Sequence, residues 1–388
     1  MSLLLKNYKK IMNSKIKSKE KSDKKSDNKF KVGILGATGM VGQRLITLLY
    51  KHPWFEIVCL GASDRSQGKS YKEAVESRWS QAISIPKNIS EKKVLSVEKD
   101  MQEIANQVDF VFCAIDGDKY FIQKLEESYA SLGVPVISNN SAHRWTTDVP
   151  MIMTEINPEH LDIIKIQKKN RGFTDGFIVV KPNCSLQSYV PLLYAWKNFL
   201  PEKVIVSTYQ AISGAGKTFE SWPEMVDNVI PYIGGEEEKS ETEPGKIFGK
   251  IKNGKIAPSN LPKISASCVR VAVADGHLAT INVKFKKKVT KDQLIKALKN
   301  FKNPLEKLGL PSSPKIFITY FEEDNRPQTK IDRDLYSGMG ISAGRIREDF
   351  ILGWKCVALS HNTIRGAAGG SVLTAELLVK KGYIKKKR

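Results

Sequence analysis

In the first half of the chain, short apolar runs alternate with segments whose apolar residues recur at helical intervals. Residues 30–36 form an apolar run that ends in glycine, and residues 40–50 follow with apolar side chains at helical intervals. This alternation predicts strands separated by helices, and therefore a parallel sheet. Further strands are predicted at residues 55–60, 108–114, 134–138 and 177–180, and a helix at residues 120–132.

The pattern changes after Pro182. A helix kinked by Pro191 is predicted over residues 185–199. Strand-like segments then become frequent, which predicts an α+β region with an antiparallel sheet. These segments are residues 204–210, 268–273, 279–285 and 316–321. Small residues at 362–370 lead into a last apolar helical stripe that reaches Leu378. Because 388 residues exceed the ~250–300 at which single cores stop growing, two domains are expected.

The formal net charge of +21 is concentrated at the two ends of the chain. Residues 1–30 hold ten lysines against three acids, and residues 380–388 add six basic residues, so the ends carry 13 of the 21 charges. The modest excess elsewhere suits an enzyme for anionic ligands, and a nucleic-acid-binding protein is the minor alternative. Residues 1–30 are predicted to be a basic, disordered extension, with an organelle address as the alternative.

The five cysteines lie far apart and include no CxxC pair. A disulfide framework and a zinc ribbon are therefore excluded, and no metal is predicted. No run of about 18 apolar residues occurs, so no membrane span is expected. Met1–Leu5 is too short an apolar run for a signal peptide, which favours a reducing, cytoplasmic compartment.

A glycine-rich turn between the first predicted strand and helix is typical of dinucleotide binding. Its spacing is GxxGxxG, a variant of GxGxxG, and a plain strand-to-helix turn is the alternative. Glycines let the backbone approach a pyrophosphate, whose charge is met by the N–H groups at the helix start. The candidate cofactor-binding residues of this turn are Gly36, Thr38, Gly39, Met40, Val41 and Gly42.

The residues that follow the second predicted strand bear on the choice of nucleotide. Ser63, Arg65 and Ser66 are donors suited to a 2′-phosphate, which favours NADP(H). Asp64 leaves NAD open, because an acid near this position can bind the ribose.

Cys184 is the candidate nucleophile. It follows a buried predicted strand and opens a helix, a position that lowers a thiol pKa through the helix dipole. A small buried packing residue is the alternative, as is assumed for the other four cysteines.

Arg270 and His277 lie on either side of an Asp-Gly pair, Asp275-Gly276. Asp-Gly between two alternating runs predicts a two-residue hairpin. Arg270 and His277 would then point to the same face of the hairpin, roughly 13 Å apart along it.

Several motifs, in one order, resemble those of the aspartate-semialdehyde dehydrogenases, and the archaeal and fungal branch in particular. The resemblance covers residues 31 to about 383. The motifs are GATGMVG at 36–42, KPNCS at 181–185, YQAISGAG at 209–216, Glu-Glu-Glu-Lys at 236–239, Arg270 with His277, and residues 362–370.

The resemblance implies a fold and an activity. An α/β Rossmann-type N-terminal domain, residues 31–182 plus 362–388, would bind NADP(H), and a second α+β domain, residues 183–361, would serve catalysis and dimerisation. The implied reaction is the NADPH-dependent reductive dephosphorylation of L-4-aspartyl phosphate to L-aspartate 4-semialdehyde through a cysteine thioester, toward lysine, threonine and methionine. Self-association as a homodimer or homotetramer is implied as well.

The resemblance also implies roles for individual residues. Cys184 would be the nucleophile, His277 the acid/base and Gln210 the residue that orients the intermediate. Substrate contacts are expected from Arg270 at the carboxylate, Glu236 at the amino group, Lys239 and Arg144 at the phosphate, and Asn183. Further cofactor contacts are expected from Ser213, Gly214 and Asn362. One sequence cannot fix the register of Glu236 against Glu237 and Glu238.

Related substrates stay open at this point. A reductase of a coenzyme A thioester such as malonyl-CoA, or of N-acetylglutamyl phosphate, would keep the same carbonyl chemistry. Its contacts to the far end of the substrate would differ.

Overall fold

The computed structural model describes residues 29–387, so the predicted basic extension lies almost entirely outside the described residues. The first six strands are β1 (Phe30–Leu35), β2 (Phe55–Ala62), β3 (Val94–Ser96), β4 (Phe110–Cys113), β5 (Val136–Ser138) and β6 (Ile178–Val180). They form one parallel sheet in the order β3-β2-β1-β4-β5-β6, which confirms the predicted parallel sheet. The order reverses between β1 and β4, and doubly wound sheets bind ligands at the carboxyl ends of such strands. β3 was not predicted, because three residues are too few to show a period.

The helices of this half are α1 (Met40–Leu49), α2 (Tyr71–Val75), α3 (Lys87–Ser90), α4 (Met101–Gln107), α5 (Lys119–Ser131) and α6 (Ile164–Arg171). The two helices predicted at residues 40–50 and 120–132 are confirmed as α1 and α5. β4 buries every side chain, and β1 buries residues 32–35, because helices cover both faces of the sheet; this burial explains their apolar sequence.

Nine more strands follow: β7 (Pro201–Gln210), β8 (Val229–Ile230), β9 (Lys250–Lys252), β10 (Lys255–Ala257), β11 (Lys263–Val271), β12 (His277–Phe285), β13 (Ile318–Phe321), β14 (Ile341–Asp349) and β15 (Gly353–Ser360). β9 and β10 form a ribbon of their own, and the other seven form a second sheet in the order β13-β14-β15-β12-β7-β11-β8. This sheet is mixed, so the prediction of an antiparallel sheet is wrong. β11 runs parallel to β7, and β13 runs parallel to β14.

The Asp275-Gly276 hairpin prediction is also wrong. β7 lies between β11 and β12, and both strands pair with it and not with each other. The connection between β11 and β12 crosses the end of β7, where Ile212 N–H and Ser213 N–H donate to the carbonyls of Val273 and Ala274 at 2.9 and 3.2 Å. An Asp-Gly pair favours a tight turn but does not decide whether the flanking strands are neighbours.

The remaining helices are α7 (Leu186–Ala195), α8 (Glu236–Ile247), α9 (Lys291–Lys299), α10 (Thr329–Asp332) and α11 (Gly369–Lys380). α7 is shorter than the predicted 185–199, and a 3₁₀ turn at Lys197–Phe199 follows it. A π-helical turn at Ile364–Ala368 leads into α11, which packs against α1 and β5 of the first sheet. Across residues 29–387, no helix combines the length and the apolar character needed to cross a bilayer.

Candidate active site

The glycine-rich turn joins β1 to α1, and two of its glycines are required by backbone packing. Gly36 has a φ of +86°, and a Cβ there would lie 2.3 Å from the carbonyl oxygen of Ala114. A Cβ on Gly42 would lie 2.2 Å from the carbonyl oxygen of Gly36. A Cβ on Gly39 would meet only Gly36 O, at 3.6 Å. Gly39 therefore leaves open backbone at the N-terminus of α1, as an approaching pyrophosphate needs.

A cleft of about 710 Å³ lies beside this turn. Its lining includes Thr38, Gly39 and Met40 of the turn and the basic residues Arg78 and Lys217. The size and the two basic side chains fit a dinucleotide that carries an additional phosphate.

Gln43 joins the glycine-rich turn to residues 78–80, and the sequence analysis missed it. Its side-chain amide donates to the carbonyls of Thr38 at 3.0 Å and Arg78 at 2.8 Å, and its Oε1 accepts from Ser80 N at 2.9 Å. A polar residue on the buried face of α1, directly after the last glycine of the turn, is a signal that could have found it.

The residues predicted to contact the ribose and its 2′-phosphate follow β2. Ser63 and Arg65 are exposed, whereas Ser66 is buried. Asp64 accepts a hydrogen bond from Ser96 Oγ at 2.6 Å and pairs with Lys99 Nζ at 2.8 Å. Because Ser96 and Lys99 bind the Asp64 carboxylate, this residue is less suited to accept a hydrogen bond from the ribose of NAD.

Cys184 lies between β6 and α7, and the side chain of its neighbour Asn183 links the start of α7 to the first turn of α8. Asn183 Oδ1 accepts from Ser185 N at 2.8 Å, and Asn183 Nδ2 donates to both oxygens of Glu236 at 2.9 Å. A Cβ on Gly366 would lie 2.7 Å from Cys184 Cβ, so glycine is needed at position 366 to leave room for the cysteine.

His277 is the partner of this cysteine. Cys184 Sγ lies 3.4 Å from His277 Nε2, although 93 residues separate the two along the chain. On the other edge of the ring, Ala211 N–H donates to His277 Nδ1 at 3.1 Å. Burial and then the neighbouring Arg270 guanidinium lower the pKa of His277 to about 3, so the imidazole is neutral in the resting chain.

The resting Cys184 is a thiol. Burial and then the Glu236 carboxylate raise its pKa to about 12, against the opposing pull of Arg144, Arg270 and Lys239. The prediction of a lowered thiol pKa is wrong for the resting chain. Desolvation and the buried Glu236 carboxylate raise the pKa by more than the dipole of α7 lowers it. A substrate must therefore change this balance before the sulfur reacts.

Arg270 and His277 converge from opposite sides of β7. Arg270 pairs in register with Gln210, and its Nη1 donates to Ala211 O at 2.7 Å. A Cβ on Gly214 would lie 2.9 Å from Arg270 Nη1 and 3.1 Å from His277 Nε2. The prediction that the two side chains share one face is confirmed, although they reach it across β7 and not along a hairpin.

The first turn of α8 brings an anion and a cation to the same place. Glu236 is buried, and it pairs with Lys239 Nζ at 2.8 Å and accepts from Gln210 Nε2 at 3.3 Å. Glu237 accepts from Cys268 N at 3.1 Å, away from this cluster, and Glu238 is exposed. The structure therefore favours Glu236 in the register that the sequence left open.

Arg144 is buried beside Cys184 and held by the protein on three sides. Its Nη1 pairs with Glu243 at 2.9 Å, its Nε donates to Lys181 O at 2.9 Å, and its Nη2 donates to Asn139 O at 3.3 Å. Sequence reasoning missed Glu243, which also accepts from Asn183 N at 2.7 Å. Its distance of seven residues from Glu236, two turns on one face of α8, is the signal that could have found it.

Asn362 connects the two loops that flank His277. Its Nδ2 donates to Ser213 Oγ at 2.8 Å, and its Oδ1 accepts from Gly276 N at 2.8 Å. Ser213 and Gly214 belong to the 3₁₀ turn Ile212–Ala215 that follows β7. All three predicted cofactor residues therefore lie beside the cysteine–histidine pair. In the part of the chain that the structure describes, no group of three or more His, Cys, Asp or Glu could hold a metal ion.

A doubly wound domain with an open glycine-rich turn, joined to a cysteine–histidine pair in a second domain, defines a nucleotide-dependent oxidoreductase that works through a cysteine. Two family models match the chain: the NAD binding domain of semialdehyde dehydrogenases over residues 31–164 and their dimerisation domain over residues 190–365. The chain belongs to the aspartate-semialdehyde dehydrogenase family.

Individual relatives agree with the family models. Aspartate-semialdehyde dehydrogenase of Archaeoglobus fulgidus is 43% identical over 356 residues, covering 92% of this chain and 100% of the relative. The enzyme of Schizosaccharomyces pombe is 44% identical over 361 residues, covering 91% and 99%. A crystal structure of the Candida albicans enzyme with NADP superposes with a TM-score of 0.82 at 38% identity, covering 92% of this chain and 100% of that one.

Proposed function

We propose that this chain reduces L-4-aspartyl phosphate to L-aspartate 4-semialdehyde with NADPH, releasing phosphate, and that it does so through a thioester on Cys184. The observation that carries the proposal is the contact of 3.4 Å between Cys184 Sγ and His277 Nε2, inside a chain of this family. The reaction is a step toward lysine, threonine and methionine.

Cys184 attacks the acyl carbon and displaces phosphate, which splits one difficult reduction into two easier steps. His277 is its proton-handling partner at Nε2 and faces the oxygen on which charge develops. Gln210 orients the acyl group from β7. NADPH, when bound, supplies the hydride that reduces the thioester carbonyl.

Charged side chains around the pair match the three charged groups of the substrate. Arg270 is suited to the α-carboxylate. Its Nη1 donates to Ala211 O at 2.7 Å, and the other guanidinium nitrogens can donate to a carboxylate. Glu236 is suited to the amino group. Lys239 and Arg144 are suited to the departing phosphate, and Asn183 holds Glu236 in place at 2.9 Å.

The residues around α1 hold the nucleotide in this proposal. Gly36, Thr38, Gly39, Met40, Val41 and Gly42 would hold the pyrophosphate, Ser63, Arg65 and Ser66 the 2′-phosphate, and Ser213, Gly214 and Asn362 the nicotinamide side. The exposed Arg65 makes no ion pair or hydrogen bond within residues 29–387, so its guanidinium is free for a phosphate. This supports NADP(H) over NAD.

The dimerisation domain makes a dimer the basic assembly. We place the contact on the outer face of the second sheet, where Ile205 of β7 is 49% exposed in the single chain. Two such dimers would form the homotetramer that the sequence analysis left open, and light scattering distinguishes the two assemblies. The five free cysteines support a reducing, cytoplasmic compartment.

The direct test is phosphate-dependent NADP reduction with L-aspartate 4-semialdehyde, repeated with NAD. We expect turnover that requires phosphate and prefers NADP. The substrate proposal is contradicted if the chain turns over malonyl-CoA or N-acetylglutamyl phosphate and leaves aspartate semialdehyde untouched.

A further inference from the structure

The guanidinium of Arg144 is partly bound by the protein and partly free. It carries five N–H hydrogens, as every arginine does. Its Nε donates to Lys181 O at 2.9 Å, its Nη1 to one oxygen of Glu243 at 2.9 Å and its Nη2 to Asn139 O at 3.3 Å. No other acceptor within residues 29–387 binds this side chain, so one hydrogen remains on each terminal nitrogen. These two hydrogens can bind the oxygens of a phosphate.

Lys246 holds the backbone that carries Arg144. It lies on α8 and is 2% exposed. Its Nζ donates to the carbonyls of Arg144 at 2.6 Å, Thr146 at 2.9 Å and Val149 at 2.9 Å. All three hydrogens of the ammonium group therefore bind the one loop that follows β5. Burial lowers the pKa of Lys246 to about 8, which means that placing an ammonium here costs free energy.

Glu243 connects the same arginine to the nucleophile. One of its carboxylate oxygens accepts from Arg144 Nη1 at 2.9 Å, and the other accepts from Asn183 N at 2.7 Å. Asn183 directly precedes Cys184 in the chain. A single buried carboxylate therefore fixes both the candidate phosphate-binding group and the peptide in front of the sulfur.

Both residues lie on the face of α8 that also carries Glu236. Glu243 follows Glu236 by seven residues and Lys246 follows Glu243 by three, spacings that keep all three on one side of a helix. All three are buried. The buried face of a helix is ordinarily apolar, so this row of charged groups indicates that the face serves the site. One helix thus contacts the proposed amino end of the substrate through Glu236 and its phosphate end through Arg144.

We propose that Lys246 and Glu243 position Arg144 for the phosphate half of the reaction, Lys246 through the backbone of the loop and Glu243 through the guanidinium. This inference rests on the proposed function. When phosphate is consumed, an oxygen of hydrogen phosphate bonds to the acyl carbon and the carbon–sulfur bond breaks. The phosphate proton passes to the sulfur by way of His277. Thioester and hydrogen phosphate dianion thus give acyl phosphate dianion and thiol. Lys246 and Glu243 are positioning residues, because they act through Arg144.

Stopped-flow measurement of NADPH separates the two halves of the reaction. Mixed with L-aspartate 4-semialdehyde and NADP but no phosphate, the wild-type chain should give a burst of NADPH as the thioester forms. Steady turnover should then require phosphate. Lys246→Met should leave the burst rate within about threefold of wild type and raise KM for phosphate about tenfold or more, because a displaced arginine binds phosphate less well. Lys252→Met changes an exposed lysine of β9 and is the control that should leave both quantities near wild type.

Glu243→Gln should change both halves. An amide has one acceptor oxygen for Arg144 Nη1 and Asn183 N, and its NH₂ group must face the donor that is left. We expect a slower burst, because the peptide before Cys184 is less firmly held, together with a raised KM for phosphate. Added to Arg144→Ala, neither Glu243→Gln nor Lys246→Met should raise KM for phosphate further, since residues that act through one side chain are not additive.

Three results would overturn the inference. The first is an unchanged KM for phosphate in Lys246→Met, and the second is a full further rise when either change is added to Arg144→Ala. The third is a burst in Lys246→Met that falls as far as the phosphate step, which would mean that the lysine serves folding alone. If thermal unfolding shows that Lys246→Met does not fold, Glu243→Gln and its combination with Arg144→Ala decide. A wild-type chain that gives no burst with aspartate semialdehyde contradicts the proposed function instead.

Discussion

Glu236→Gln should make the Cys184 thiol more reactive and should weaken substrate binding. The Glu236 carboxylate accepts from Asn183 Nδ2 at 2.9 Å, Lys239 Nζ at 2.8 Å and Gln210 Nε2 at 3.3 Å. It is also the largest cause after burial of the raised pKa of Cys184. A neutral amide has one acceptor oxygen for these three donors and no charge to oppose a thiolate.

The size of each effect follows from the charge that is removed. A nearby like charge shifts a pKa by ~1–3 and each whole pH unit changes the thiolate fraction tenfold, so alkylation of Cys184 at neutral pH should accelerate at least about tenfold. A hydrogen bond between charged groups contributes ~1.5–3 kcal/mol, so loss of the partner for the substrate amino group should raise KM about 10- to 150-fold.

The assay pairs iodoacetamide alkylation of the free chain with steady-state kinetics on L-aspartate 4-semialdehyde. Glu238→Gln is the matched control, because Glu238 is exposed on the same turn of α8 and should leave both quantities near wild type. Slower alkylation together with an unchanged KM in Glu236→Gln would refute the reasoning about this carboxylate.

Three further variants examine other parts of the site. Arg270→Lys should raise KM for aspartate semialdehyde about 10- to 100-fold and lower kcat, because an ammonium cannot reproduce a forked grip; an unchanged KM would place the carboxylate contact elsewhere. Gly366→Ala puts a methyl group 2.7 Å from Cys184 Cβ and should cost roughly 100-fold in kcat, with thermal unfolding measured alongside to separate a displaced sulfur from an unfolded chain. Arg65→Ala should raise KM for NADPH about tenfold or more and leave KM for NADH as it was, and equal changes for both nucleotides would argue against a 2′-phosphate contact.

The first sheet could be predicted from the sequence because each strand is buried and followed by a helix. Continuous apolar runs between glycine turns mark such strands, whereas the strand order, with β4 beside β1, was not predicted and comes from the structure. β3 was not predicted, because this edge strand pairs with β2 through only three residues.

Four strands of the second sheet were predicted close to their observed positions, but their pairing could not be predicted, since it depends on contacts far apart in the chain. β11 finds β7 through a crossover of more than fifty residues that contains α8, and local turn chemistry at Asp275-Gly276 carries no information about this. The same limit applies to the charges of the site. Burial sets the pKa of Cys184, and burial is a property of the packed chain that a motif at the start of a helix does not contain.

The resemblance of motifs identified the residues of the site, whereas the structure gives the distances and hydrogen bonds between them. Cys184, His277, Arg270 and Glu236 were all expected at one site, and they do meet there. Glu243 and Gln43, which hold Arg144 and the glycine-rich turn, were not expected, because the partners that give each its role become neighbours only in the folded chain.

Covalent capture of the acyl group tests the account most directly. The chain is mixed with acyl phosphate in the absence of nucleotide, quenched in acid and digested, and the peptide that contains Cys184 is weighed. We expect the mass of an aspartyl thioester on that cysteine, lost on treatment with hydroxylamine and never formed in Cys184→Ala. Full turnover by a chain whose Cys184 peptide stays unmodified would contradict the thioester route.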